Sequence, residues 1–125
     1  MVYVYFDGAS KGNPGPIYVS YVITRNHSEV LAKEKRMLGS GTNNEAEWLA
    51  LLLALSKALE LGLDNKKERI IVRGDSELVV KQLKNQYSAH KFQQAKDAAK
   101  TLLKALGDPL IEWVPREKNL AGRGL

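Results

Sequence analysis

The chain has 125 residues, a length that suits one domain with its own core and is too short for two. It contains no cysteine, which excludes a disulfide framework, a thiolate zinc site and a cysteine nucleophile; the two well-separated histidines, His27 and His90, argue against a histidine-rich metal centre. The formal charge of +5, with bases gathered in residues 33–36, 81–104 and 116–123, points to a polyanionic partner.

The opening MVYVYFD lacks a basic leader, and no apolar run approaches the roughly 18 residues of a membrane span. A soluble, cytoplasmic monomer with no membrane partner is expected. VYVYFD alternates large apolar and aromatic residues as a central strand does, stopping at Asp7, and GASKGNPGP supplies a glycine- and proline-rich turn. IYVSYVITRN and EVLAKEKRML read as a hairpin across the short polar HS, the second as a charged edge strand.

From residue 44 to 61 the apolar spacing becomes helical, with N-cap oxygens from Thr42, Asn43 and Asn44 and a C-terminal stop at Gly62. ERIIVRGD is a β-branched strand, SELVVKQLKNQ and HKFQQAKDAAKTLLKALG are two helices, and PLIEWVPRE is a last strand. The order β-β-β-α-β-α-α-β predicts a mixed α/β sheet, its first, fourth and fifth strands parallel and its surface covered by helices.

Three acids sit in elements that otherwise read as core. On the long helix, the positions three, four, seven and eight beyond Glu47 are Ala50, Leu51, Ala54 and Leu55, so Glu47 points at the sheet. Asp7 and Asp75 each end a strand, and the carboxyl ends of strands form the ligand crevice of open α/β sheets. Singly, each has an ordinary role: an Asp-Gly turn for Asp7, an N-cap for Asp75, a helix-dipole partner for Glu47. Together they direct three carboxylates to one end of one sheet in a basic domain. Buried unpaired carboxylates cost several kcal/mol, so a hard cation, Mg2+ or Mn2+, should converge on them.

The segments YFDGASKGNPGP, TNNEAEWLAL, RGDSELVVKQL and IEWVPREKN resemble the type 1 ribonuclease H family, in its order and over residues 3–119; the last is similar to the archaeal-like branch. The resemblance implies the ribonuclease H-like fold, a five-stranded mixed sheet in the order 3-2-1-4-5 flanked by helices. It also implies hydrolysis of the RNA strand of RNA/DNA hybrids with two divalent ions, leaving 5′-phosphate and 3′-hydroxyl ends, with double-stranded RNA a further substrate in parts of that branch. Asp7 would bridge the two ions, Glu47 and Asp75 completing the ligand sets. Asn13, Asn43, Asn44, Ser76 and Glu77 match positions that contact the minor groove, where 2′-hydroxyls distinguish RNA from DNA, and Thr42 matches one that holds a DNA phosphate.

The family's fourth carboxylate is an aspartate in Asn-x-x-Ala-Asp, and here that register falls on Arg123, which cannot ligate a cation. Gly122 and Gly124 discourage the helix that normally follows, so the C-terminal helix is expected to be absent. The amide oxygen of Asn119 is the favoured substitute ligand, ahead of Glu117, and Arg116 is a candidate to orient a phosphate. A hybrid-binding module with weakened hydrolysis is the alternative function.

Overall fold

A computed structural model of the chain describes residues 1–65 and 67–122. Five strands form one sheet: β1 (Val2–Ser10), β2 (Gly15–Arg25), β3 (Glu29–Gly41), β4 (Ile70–Gly74) and β5 (Leu110–Trp113). Their spatial order is β3-β2-β1-β4-β5. The β1–β2 and β2–β3 pairs are antiparallel; β1–β4 and β4–β5 are parallel, as the element order requires. Among the described residues three α-helices, α1 (Asn43–Glu60), α2 (Glu77–Leu83) and α3 (Gln93–Ala105), accompany the sheet, and the architecture is that of the ribonuclease H-like fold.

The alternation in β1 divides the two faces of the sheet. Val2, Val4 and Phe6 are fully buried in the main cluster, with Ile23 of β2, Val72 of β4 and the apolar faces of the helices. Tyr3 and Tyr5 project to the other face, where Val22 and Ile71 join them and Leu120 and Ala121 lie across the top. Burying a leucine such as Leu51 or Leu55 contributes roughly 1.5–3 kcal/mol, and both are fully enclosed. Ala46, Ala50, Ala54 and Ala58 form a fully buried stripe along α1. Their small side chains let that helix lie close to β1.

Two of the boundaries that differ from the sequence reading bear on the site. β1 does not stop at Asp7 but continues to Ser10, because β2 goes on pairing with it after its parallel pairing with β4 ends at Phe6 and Gly74. The predicted last strand PLIEWVPRE is shortened to Leu110–Trp113: Val114 still donates its N–H to the Gly74 carbonyl, and the chain beyond Pro115 coils into 3-10 turns at Arg116–Lys118 and Leu120–Gly122. No described helix is long and apolar enough to cross a membrane. Arg123, at the register of the family's fourth carboxylate, and Gly124, one of the two glycines expected to discourage a C-terminal helix, lie outside the described residues.

Candidate active site

The parallel pairing of Phe6 with Gly74 makes the next residues, Asp7 and Asp75, neighbours at the same end of adjacent strands. Glu47 reaches them from the first turns of α1, where the N-cap Thr42 and Glu45 form a reciprocal capping box. One carboxylate oxygen from each of Asp7, Glu47 and Asp75 lies within 4.8 Å of the other two. The convergence expected from sequence is therefore present.

Gly8 sets the spacing. Its N–H donates to Glu47 Oε1 at 2.6 Å, and a Cβ on Gly8 would stand 2.3 Å from the carbonyl carbon and oxygen of Ala46. Backbone therefore meets backbone where β1 passes α1, and the Glu47 carboxylate is held beside Asp7. On the other side, the Trp113 indole donates to the Asp75 carbonyl at 3.1 Å, tying β5 to the loop that carries the third acid.

Burial, then the charges of Asp7 and Asp75, pushes the Glu47 carboxyl up to about 9. Burial and Asp75 push Asp7 up to about 6, against the opposing pull of Arg116 and Lys35. Three hard oxygen donors crowded against their mutual repulsion, two of them reluctant to ionise, suit a divalent cation: bound there it would favour the ionised forms of all three.

The other expected site residues have definite positions. Asn13 Oδ1 accepts the Asn43 N–H at 2.9 Å and Asn43 Oδ1 accepts the Ser10 N–H at 2.8 Å, so the glycine-rich turn and the start of α1 are stitched together. Asn44 lies half-buried in the first turn of α1, and Thr42 caps that helix. Ser76 caps α2 by accepting the Val79 N–H at 3.3 Å, and the exposed Glu77 pairs with Lys81 at 2.6 Å. Arg116 and Glu117 are exposed in the turn after β5, and Arg116 lines a cavity that Asp7 also lines.

Asn119 is fully buried, and its amide is engaged with main chain. Nδ2 donates to the Phe6 carbonyl at 2.9 Å, while Oδ1, the atom expected to face a cation, accepts the Ala121 N–H at 3.1 Å. The result is a clamp that holds the 3-10 turn Leu120–Gly122 against the strand carrying Asp7. Ser20 reinforces it by donating to the Ala121 carbonyl at 2.6 Å, and a Cβ on Gly122 would stand 3.2 Å from Asp7 Oδ2. Gly8, Ser20 and Lys35 were not singled out from sequence, and Gly122 was read only as a residue that discourages a helix. A glycine following an acid gives a weak hint for Gly8, but Lys35 had none, because irregularities between Pro16 and Tyr18 and between Ile23 and Thr24 shift the β2–β3 register.

The reverse transcriptase-like family model matches residues 5–123. Ribonuclease HI of Halobacterium salinarum is 39% identical over 120 residues, 94% of this chain and 58% of that protein. The chain thus spans a little over half the length of that curated relative. The crystal structure of RNase H1 from the same archaeon superposes with a TM-score of 0.87 at 38% identity, covering 96% of this chain and 89% of that one. LC11-RNase H1, in a crystal structure with an RNA/DNA hybrid, superposes with a TM-score of 0.88 at 29% identity and the same two coverages, 96% and 89%.

Proposed function

The chain belongs to the type 1 ribonuclease H family, and from that premise we propose that it is an endoribonuclease that hydrolyses the RNA strand of RNA/DNA hybrids by a two-metal-ion mechanism, with Mg2+ or Mn2+, leaving 5′-phosphate and 3′-hydroxyl ends. The observation that carries this reading is the meeting of Asp7, Glu47 and Asp75 within 4.8 Å at the end of the β1–β4 pair. A solved relative at 29% identity holds an RNA/DNA hybrid, which supports the choice of substrate. Divalent ions at the three carboxylates would lower the pKa of an attacking water and stabilise the leaving oxygen.

The residues of the chain do the rest. Asp7, repelled by Asp75 and itself raising the Glu47 carboxyl, would hold the cations together with Glu47 and Asp75. The Gly8 N–H fixes one oxygen of Glu47 and leaves the other to a cation. With their oxygens bonded internally, Asn13 and Asn43 present NH2 groups as donors, which suit the 2′-hydroxyl of a ribose. Thr42 and Asn44 at the start of α1 and Ser76 and Glu77 at the start of α2 would add further polar contacts to the hybrid, and Arg116, which lines a cavity with Asp7, would orient a phosphate. Asn119 acts as a positioning residue for the turn that packs on Asp7.

The test is to incubate the protein with a labelled RNA/DNA hybrid and Mg2+ or Mn2+. Fragments with 5′-phosphate ends, produced only with the divalent ion and only from the RNA strand, are expected. Tight, salt-sensitive binding without cleavage in either ion would instead favour the hybrid-binding module.

The positioning role of Asn119 makes a separate prediction. Asn119→Asp removes the N–H donated to Phe6 and sets a carboxylate against a buried carbonyl, a change expected to destabilise the fold by about 3 kcal/mol with no gain in metal affinity. Denaturant unfolding and a metal titration check this. Tighter metal binding at unchanged stability would return Asn119 to the ligand set.

A further inference from the structure

We propose that the concavity on the β2–β3 side of Asp7 is a phosphate pocket, in which Lys11, Lys35 and Arg116 hold a backbone phosphate of the substrate strand beside the one cut at the carboxylates. The proposal rests on the hybrid-cleaving function above and adds a second contact to it. Strand register builds the floor: Asp7 pairs with Ser20, and Ser20 pairs with Lys35, so the three lie in a row across one face of the sheet. Strand spacing puts the Lys35 backbone about 10 Å from that of Asp7. The lysine side chain lines the intervening space and acts electrostatically on the Asp7 carboxyl.

The three cations come from three separate elements. Lys11 belongs to the β1–β2 turn, its ammonium lodged 5.0 Å from the centroid of the Tyr18 ring on the cavity wall. Lys35 comes from β3 and Arg116 from the turn after β5, and the Ser20 bond to Ala121 closes the wall between them. The enclosed volume is about 240 Å3. That is below the ~300–1000 Å3 of sites that enclose a whole small molecule, and it suits a phosphate group entering from a strand laid over the surface.

The charges are otherwise uncommitted. Arg25, Arg36, Arg73, Lys57 and Lys81 are each held in an ion pair, whereas among the described residues Lys11, Lys35 and Arg116 have no carboxylate within ion-pair distance. Among the described residues Asp7 is the one acid lining the cavity. With Asp7 engaged by cations, the charge left on the cavity would be that of Lys11, Lys35 and Arg116. Lysines that merely solubilised the surface would not be gathered from distant parts of the chain into one depression against the carboxylates.

The full chain, kept free of divalent ions by a chelator, is titrated with inorganic phosphate and followed by amide chemical shifts. Perturbations are expected to cluster on Ala9, Lys11, Ser20, Lys35 and Ala121, and Lys35→Gln is expected to weaken binding about tenfold. Lys104→Gln, at the opposite end of the sheet beside Arg69 and Pro109, removes the same charge and should leave the affinity unchanged. In cleavage of a hybrid, Lys35→Gln should raise KM about tenfold more than it lowers kcat. It should also flatten the dependence of log KM on log salt by roughly 0.7–0.9, the signature of one lost phosphate contact. Shifts spread over the surface, or equal weakening by Lys104→Gln, would overturn the pocket. Phosphate binding at the cavity with no change in KM or salt dependence would overturn its assignment to the strand. The titration contains no cleavage step, so a chain that binds phosphate there yet cuts no hybrid would refute the proposed function and leave the pocket standing.

Discussion

Replacing Glu47 by glutamine is expected to abolish metal-dependent cleavage of an RNA/DNA hybrid, by at least about a thousandfold, while making the metal-free protein more stable than wild type. The two effects share a cause. Glu47 is buried beside two other acids, and its carboxyl is pushed from an ordinary 4.5 up to about 9. Between those values the unfolded chain is ionised and the folded chain keeps the proton. The folded state therefore binds more protons, and stability falls as pH rises. Asp7, raised from 3.8 to about 6, acts in the same direction over a lower window.

In the absence of divalent ions, the stabilities contributed by these two groups are full below about pH 4. They are lost as pH rises through about 6 for Asp7 and about 9 for Glu47. At neutral pH glutamine removes a cost of up to roughly 3 kcal/mol, because it keeps the oxygen that accepts the Gly8 N–H and has no proton to lose. Mg2+ or Mn2+ should raise the wild-type melting temperature more near pH 8 than near pH 5, and should do so far less in the variant. Thermal melts at several pH values, with a chelator and with each ion, measure all of this. A wild-type melting temperature that stays flat across that range in chelator would mean that the carboxylates are not desolvated as described.

Gly8→Ala is expected to cost more than about 3 kcal/mol and to remove activity even in protein that remains folded. The added methyl would stand 2.3 Å from the Ala46 carbonyl carbon and oxygen and 2.6 Å from the Glu47 nitrogen. All three are backbone atoms of α1, so no side chain can turn aside, and the helix itself must retreat from β1. That retreat takes Glu47 away from Asp7 and lengthens its bond to the residue 8 amide. Unfolding curves and cleavage rates measured on the same preparation would show both losses; wild-type stability with wild-type rate would mean that the contact between β1 and α1 is not what sets the site.

Much of this arrangement was legible in the chain because it is written in local periodicities. The two-residue alternation of VYVYFD separated Val4 and Phe6 from Tyr5 and Asp7, and the helical spacing after Glu47 turned that acid toward the sheet. The crossover through α1 favoured a parallel strand, and its pairing with β1 in the structure places Asp75 beside Asp7. Thr42 could be read as a cap because a cap bonds within three residues of itself, and it does so; at α2 the cap is Ser76 and not Asp75, the residue to which the sequence reading gave that ordinary role. The end of β1 was misplaced for the opposite reason. Asp7-Gly8 has the composition of a turn, but the pairing of Ala9 and Ser10 with β2 continues the strand.

The sequence by itself determined the order of elements along the chain, the face that Glu47 occupies and the direction of three acids toward one end of the sheet, since each follows from short-range spacing; the strand order 3-2-1-4-5 came from the family resemblance. Only the tertiary structure decided what surrounds them. Asn119 bonds to Phe6 across 113 residues and Ser20 to Ala121 across 101, and no periodicity of neighbouring residues encodes such a partner. Lys35 comes to face Asp7 through a β2–β3 register interrupted by irregularities, each able to exchange inward and outward side chains. The carboxylates are a consequence of local pattern; the clamp on their strand and the cations beside them are consequences of packing.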